Sequence, residues 1–566
     1  MKQFNQFVRS ASALYAPGYL SSLVWLLEST RYSIHLYLAR FWSTQDFSTL
    51  TGKRPTPTSR NRALVMFVML GSLLQTMLGL ALLVYALQRD MPEATWFGLA
   101  LVVSSPIVWA HALALFYAAY KLLWSVLHPK TTGRAIVCKI LEKQVVQLRA
   151  KHQFTMIAVA GSIGKTSTKL AIAHTLEPSR RVIYQTGNYN DRVTVPLVLF
   201  GQKLPNLFNL VAWIKIFMAN ERAIKRPHYY DVAVVELGTD HPGDMKHFAY
   251  LKPDITIVTA ITPEHMEYFG TLDAVAAEEL TVCDYSKTVL INADDTPLQY
   301  VSDKNMQTYG TEQTCDYQAS NYNPDGLRGG KVTLRLQSGV TLEPQVAILG
   351  AQGVKIVLAA AAAAQLAGLP GDEIARGLAE VKPFAGRMQI LRGIRGSTII
   401  DDTYNASPVA VTAGLDVLYA TPAPQRIAVL GTMNELGDYS EAAHVEVGKY
   451  CDASKLDLVV TIGDNAAKYL APAARAHGCH VKTFSSPYEA GLYIREHVQH
   501  GAVVLAEGSQ NRVFAEESLK LLLADPADAK KLVRQSAYWM RVKAKQFGPV
   551  PHVTEVESTT PPPVLS

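Results

Sequence analysis

Gly161-Ser162-Ile163-Gly164-Lys165-Thr166-Ser167 has the residue types and spacing of a loop that cradles phosphate groups. An apolar run at 154–160 leads into it, and a helical pattern follows. Backbone N–H groups and the helix N-terminus would face the anion there. Lys165 would reach the outer phosphates, and the Thr166 hydroxyl would bind Mg²⁺. The strict phosphate-loop pattern has a further glycine where this chain has Val159, so a chance Gly-Lys-Thr turn is the competing reading.

Glu236 ends a second apolar run. A carboxylate there projects at the carboxyl edge of a parallel sheet, where ligands of open α/β sheets gather, and can hold Mg²⁺. The competing reading is a solvated acid at a strand end. His265 follows the next apolar run, on the same edge. Arg387 carries a guanidinium suited to charge developing on a transferred phosphoryl group.

These residues need a scaffold, and the apolar pattern supplies one. Candidate strands at 154–160, 230–237, 255–261 and 288–291 alternate with helical stretches, as in a parallel α/β sheet. Residues 308–349 read as β-rich and turn-rich. An alanine-rich helix at 354–368 opens a second α/β region with strands at 397–401, 426–431, 458–463 and 502–506. Residues 63–87 carry no charge, and residues 95–127 carry only Lys121. Both are long enough to span a bilayer; the alternative is a buried hairpin in a soluble core. Lys53, Arg54, Arg60 and Arg62 precede the pair, and Lys130, Arg134, Lys139 and Lys143 follow it. The positive-inside rule therefore puts both ends in the cytoplasm. Residues 15–45 read either as interfacial or re-entrant helices or as helices packed on the pair.

The expected division is an interfacial segment 1–62, two transmembrane helices 63–127, a linker helix 128–152, a central domain 153–348, a C-terminal domain 349–545 and a disordered tail 546–566. No cleavable signal peptide is expected at the N-terminus. The net charge of +6 over 566 residues gives no support for nucleic-acid binding. The five cysteines lack zinc-site spacing and are expected to be reduced thiols.

In order and spacing, several short segments resemble the Mur ligase family, which joins amino acids or peptides to peptidoglycan precursors. They are the loop at 161–167, Thr186-Gly187-Asn188-Tyr189-Asn190, Glu236-Leu237-Gly238, His265 to Gly270, Asn292-Ala293-Asp294-Asp295, Gly386-Arg387, Asp401 to Ala406 and Met433 to Gly437. The branch most similar, MurF, adds D-alanyl-D-alanine to a UDP-linked tripeptide. The resemblance implies an ATP-binding central domain of phosphate-loop type and a Rossmann-like C-terminal domain, here preceded by an α-helical transmembrane hairpin. It implies ATP and Mg²⁺ as cofactors, an acyl-phosphate intermediate, and catalytic roles for Lys165, His265 and Arg387.

The resemblance further implies that Glu236 and His265 hold metal beside Thr166, and that Asn292, Arg387 and Asp402 contact the nucleotide. Thr186, Asn188 and Asn405 are assigned to the substrates. The family's carbamoylated lysine falls on Glu279. That carboxylate either replaces it as a metal ligand or is an exposed helical glutamate beside a weakened second metal site. Gln352-Gly353 and Glu507-Gly508-Ser509 depart from the family's His-Asn and Lys-Gly-Ser. The family's UDP-binding N-terminal domain has no recognisable counterpart. The expected partners are therefore a peptidoglycan-precursor peptide or another carboxylate, lipid-linked or polyglutamate-like, plus an amino acid or dipeptide, and the lipid bilayer. The expected location is the inner membrane, with the catalytic domains in the cytoplasm. A membrane scaffold that has lost catalysis is the alternative of another class.

Overall fold

The computed structural model describes residues 2–551 apart from 17, 45, 128, 207–208, 302–305 and 312–314. Of the tail expected to be disordered, residues 546 and 547 close the last helix, and residues 552–566 lie outside the described residues. The chain divides into two compact units, Met1–Ile136 and Val137–Ser566.

The first unit is helical: α1 (Lys2–Ala13), α2 (Tyr19–Ser29), α3 (Ile34–Ser43), α4 (Ser59–Gln88) and α5 (Pro92–Leu127). Thr58 caps α4 by accepting from the Asn61 N–H. Helices α4 and α5 form a hairpin in which small residues allow close approach. A Cβ added at Gly98 would lie 2.9 Å from the Gly79 carbonyl oxygen. Polar bonds cross the seam: Ser72 to Ser105 at 2.8 Å, and Trp109 Nε1 donating to Gln75 Oε1 at 2.8 Å. The outer faces expose Leu70, Leu74, Met77, Trp96 and Leu115. By length and composition, both helices are able to cross a membrane, and both are mostly unburied, unlike core helices of a soluble protein. Between the two readings of residues 15–45, the structure favours packing: Tyr19, Leu23, Leu27, Tyr37 and Phe41 share a buried cluster with Leu64, Val68, Leu113 and Tyr117.

Helix α6 (Pro129–Lys151) leads into the second unit. Its first sheet contains β1 (Thr155–Ala160), β2 (Val182–Ile183), β3 (Val232–Glu236), β4 (Ile255–Val258), β5 (Thr288–Asn292), β6 (Met306–Gly310), β7 (Tyr317–Pro324), β8 (Gly330–Arg335), β9 (Thr341–Leu342) and β10 (Gln345–Val346). The order is β10-β8-β7-β6-β5-β4-β1-β3-β2, with β9 on β8. Strands β1 to β7 pair in parallel, and the hairpin-rich end is antiparallel. Between strands run α7 (Lys165–Leu176), α8 (Thr194–Leu199), α9 (Leu210–Lys225), α10 (Met266–Phe269) and α11 (Leu272–Glu279). In α12 (Gly350–Leu366), residues 359–364 are all alanine and all fully buried, in one core with Ala171 and Ala173 of α7. The short side chains let these two helices pack closely.

The second sheet holds β11 (Gln389–Arg392), β12 (Thr398–Asp402), β13 (Arg426–Gly431), β14 (Leu458–Ile462), β15 (Val481–Phe484) and β16 (Val503–Glu507), in the order β11-β12-β16-β13-β14-β15. Only the β11–β12 pair is antiparallel. Helix α13 (Gly371–Ala379) packs on α7 and α12 of the first region; the helices of the second are α14 (Pro408–Ala420), α15 (Ser440–Tyr450), α16 (Ala471–Ala476), α17 (Pro487–His497), α18 (Glu516–Lys520) and α19 (Ala537–Phe547). The second region is thus α/β, as the apolar pattern predicts, with β11 and β15 as additions.

Helix α19 is fastened by buried charge. Lys543 Nζ lies 2.8 Å from Glu516 and 2.7 Å from Glu517, with all three side chains fully buried. Arg534 pairs with Glu516 at 2.7 Å and donates to the carbonyls of Tyr404 and Thr403 at 2.8 and 2.5 Å. Removing one member of such a network leaves uncompensated buried charge. Lys543→Met is therefore expected to destabilise the catalytic unit by about 3 kcal/mol or more, read as a lower urea midpoint at unchanged slope.

Candidate active site

Strand β1 ends at Ala160, and the chain turns through Gly161 and Gly164 at φ of 113° and 81° before α7 begins at Lys165. Glycine is required at 161 for space as well: a Cβ would lie 2.6 Å from Thr259 Oγ1. Ser162 Oγ accepts from the Thr262 N–H at 3.0 Å, fixing the loop to the end of β4. Register sets the neighbouring strand: Val159 of β1 stands opposite Glu236 of β3, so the Glu236 carboxylate arrives beside the loop.

Glu236 is not the solvated strand-end acid of the competing reading. It is 2% exposed, and it accepts from Thr166 Oγ1 at 3.0 Å, Lys169 Nζ at 3.0 Å and Asn190 Nδ2 at 3.2 Å. Burial pushes its carboxyl up, but Lys169, Lys165 and the hydrogen bonds outweigh burial and hold it below the usual range. Lys169 is one helical turn beyond Lys165, a spacing that marks it as sharing the loop's face. Lys165 Nζ contacts the carbonyls of Gly161 and Ser162 and pairs with Glu264 at 3.3 Å. Burial opposes its charge, but Glu264, Glu279 and Glu236 together raise its pKa.

His265 sits at φ 49°, and Glu435 opposite it at φ 66°, both in the left-handed region that non-glycine residues seldom adopt. Such strain concentrates at functional sites. His265 Nδ1 is 3.2 Å from Glu435, and its Nε2 is 3.6 Å from Glu264 and 3.7 Å from Asp240. Burial lowers the imidazole pKa, but the Glu435 bond and Glu264 raise it more. This contact joins the two α/β regions. Arg387 comes from the second region, with its guanidinium 4.3 Å from the centre of the Tyr404 ring.

Two adjoining cavities share Ile163, Gly164 and Arg387. The first is also lined by Ser162, Lys165, Thr166, Asn188, Glu236, His265 and Asn405. The second contains Ser167, Asn292, Asp402 and Lys355. Lys355, on α12, pairs with Asp295 at 2.8 Å, and Asp295 accepts from Asn292 at 2.7 Å. Sequence reasoning missed Lys355, Lys169 and Glu264. Only Lys169 had a local signal.

Three predicted site residues stand apart from the cavity walls. Thr186 lines neither cavity. Gly161 lies behind the loop and donates its N–H to Glu279 Oε2 at 2.8 Å. Glu279 also lines neither cavity, and it is not the exposed helical glutamate of one reading, since it is 1% exposed. Burial pushes its carboxyl up to about 7.

Hard oxygen donors at Thr166 and Glu236, 3.0 Å apart in one cavity, fit Mg²⁺, which binds through one or two protein groups plus phosphate and water. Among the described residues, no group of three or more His, Cys, Asp or Glu side chains converges on a metal position.

The family description "Mur ligase middle domain" matches residues 159–364, and "Mur ligase, glutamate ligase domain" matches 386–510. The chain belongs to the Mur ligase family. Its similar relatives include the UDP-N-acetylmuramoyl-tripeptide–D-alanyl-D-alanine ligase of Bacillus subtilis, 28% identical over 378 residues, which are 66% of this chain and 76% of that one. The ligase of the same name from Haemophilus influenzae is 30% identical over 56% of this chain, which spans 66% of that protein's length. Among solved structures, MurF from Acinetobacter baumannii superposes with a TM-score of 0.56 at 21% identity, covering 69% of this chain and 79% of that one. MurF from Thermotoga maritima in complex with ADP gives 0.55 at 21%, covering 68% and 83%. These superpositions establish the Mur ligase fold.

A second acidic group lies beneath the second cavity. Asp402 of β12 is in register with Glu507 of β16. Both are buried, and neither Glu507 carboxylate oxygen has a hydrogen-bond partner. Burial first raises both pKa values, with the Asp401 charge adding to it at Asp402 and the Asp402 charge adding to it at Glu507, against an opposing pull from Arg387; burial raises Asp401 to about 6. A raised folded-state pKa means the fold holds protons that the unfolded chain has released. Stability is then lost as pH climbs from about 4 towards 7. The urea midpoint is expected to fall across this window, and Glu507→Gln is expected to flatten the decline.

Proposed function

We propose that this Mur ligase is an ATP-dependent peptide ligase of the MurF type. It would join D-alanyl-D-alanine, or a similar amine, to the peptide of a peptidoglycan precursor. The observation that carries the reading is the meeting in one cleft of Lys165, Thr166 and Glu236 from the first α/β region with Arg387 from the second. The names of the relatives supply the substrate class.

In this reading, a carboxylate of the precursor peptide attacks the γ-phosphate of ATP. The bond to the bridging oxygen breaks, and ADP leaves. The amine then attacks the acyl carbon, the C–N bond forms, a proton is lost from nitrogen, and inorganic phosphate departs. Backbone N–H groups of Ile163 to Ser167 would bind the phosphates, those of Gly161 and Ser162 being held by Glu279 and the Ala260 carbonyl. Lys165 and Arg387 neutralise charge from opposite sides. Mg²⁺ held by Thr166 and Glu236 would neutralise phosphate charge. Asn292 and Asp402, with Lys355 beside them, bound the nucleotide side. Asn188 and Asn405 bound the substrate side. His265 and Glu435 hold the two regions together, limiting access of water to the acyl phosphate.

Glu279 is proposed as a brace of the phosphate loop through Gly161, a carboxylate already present without carbamoylation. The two apolar helices support membrane attachment, and the basic flanks support cytoplasmic ends.

The test is phosphate release by the detergent-solubilised protein. UDP-MurNAc-tripeptide and D-Ala-D-Ala are supplied with Mg·ATP, singly and together. Release only with both, with pentapeptide formed, is the expected result; silence with both while Mg·ATP still binds would overturn this substrate assignment. Lys165→Ala and Arg387→Ala are each expected to lower kcat by at least about 100-fold. Activity is expected to be indifferent to bicarbonate. Glu279→Ala is expected to raise the KM for ATP about tenfold; a bicarbonate requirement would contradict the brace.

A further inference from the structure

Helix α9 departs from the usual rule for a surface helix, which turns an apolar stripe inward and a polar face outward. Its inner face is accounted for. Trp213 and Ile216 pack with Val137, Cys138 and Leu141 of α6, and Gln144 of α6 donates to the Phe217 carbonyl at 2.9 Å. Its outer face is apolar as well. Leu210 is 72% exposed, Val211 63%, Ile214 56% and Met218 46%. Residues 211, 214 and 218 recur at helical spacing, and the exposed Leu204 precedes them. A contiguous apolar stripe left in water marks an interaction surface.

The charges around the stripe identify its partner. Between residues 203 and 226, the basic residues are Lys203, Lys215, Arg222, Lys225 and Arg226, and the acidic residue is Glu221. All of these are exposed. Such a surface repels a second copy of itself. It complements a surface that is apolar below and anionic above, which is the interface of an anionic bilayer. The chain path agrees. The apolar helix α5 ends at Leu127, and the stretch of α6 against which α9 packs starts at Val137. Ten residues span no more than about 36 Å.

We propose that the outer face of α9 is an interfacial membrane-docking surface that lies in the headgroup region of an anionic bilayer. The proposal rests on α4 and α5 spanning that bilayer. It adds a second attachment, on the catalytic unit itself. Such a contact would fix the orientation of the ligase cleft towards the membrane rather than merely tether it.

The test uses the full chain in nanodiscs. A fluorescent amino acid is introduced by amber suppression at Ile214, at Leu74 of α4, or at Lys449 on α15. Brominated lipids serve as quenchers, in phosphatidylcholine alone or with phosphatidylglycerol. Quenching is expected at 74 in both lipids, at 214 chiefly with phosphatidylglycerol, and not at 449. Lys215→Glu combined with Arg222→Glu and Lys225→Glu is expected to reduce quenching at 214 at least severalfold and leave 74 unchanged. Quenching at 74 without quenching at 214 would overturn the docking surface and leave the span intact. Absence of quenching at both would overturn span and docking together. A probe at 214 shielded from aqueous iodide but not quenched by lipid would mean that protein covers the stripe, which also overturns the proposal.

Discussion

The buried contact of Glu236 with Thr166 and Lys169 is the constraint on which the site depends. An ionised carboxylate at 2% exposure is costly unless its lone pairs are satisfied. Here a hydroxyl, an ammonium and an amide satisfy them. That requirement ties the end of β3 to the first turn of α7, and so fixes the phosphate loop between them. Gly161 and Gly164 then turn the chain in left-handed conformations from β1 into α7.

Around that centre, charges of both signs are interleaved. Lys165 rests among Glu236, Glu264 and Glu279, and His265 among Glu264, Asp240 and Glu435. The positive groups of the cleft are held by protein acids and carbonyls. Any anion that enters must exchange those partners, so its affinity is the difference between two sets of contacts. The strained backbones of His265 and Glu435 persist because each is the other's partner across the junction of the two regions.

Legibility in the sequence differs by residue. The placement of the loop and Glu236 at strand ends was legible from the apolar runs before them, while Arg387, Asn292 and Asp402 were picked out only by the family resemblance; all of them except Gly161 line the two cavities. The parallel strands were legible from apolar runs. Lys355 was not, because a lysine inside an alanine-rich helix looks like a solvated residue until tertiary packing buries it against Asp295. Of the two readings of Glu279, the exposed one fails, because only the fold shows the residue buried and bonded to Gly161 behind the loop. Strands β11 and β15 were missed because both are four-residue edge strands, β11 paired antiparallel and β15 with its two middle residues, Lys482 and Thr483, exposed.

The anchorage of the 403–404 backbone by Arg534, itself held by Glu516 and so by Lys543, has a consequence for biosynthesis. A ribosome makes the apolar hairpin before the phosphate loop, and residues 534–543 after both. The 403–404 backbone cannot be anchored until residues 534–543 have left the exit tunnel. A nascent chain can thus complete its first sheet while the 403–404 backbone of the second still lacks its anchor.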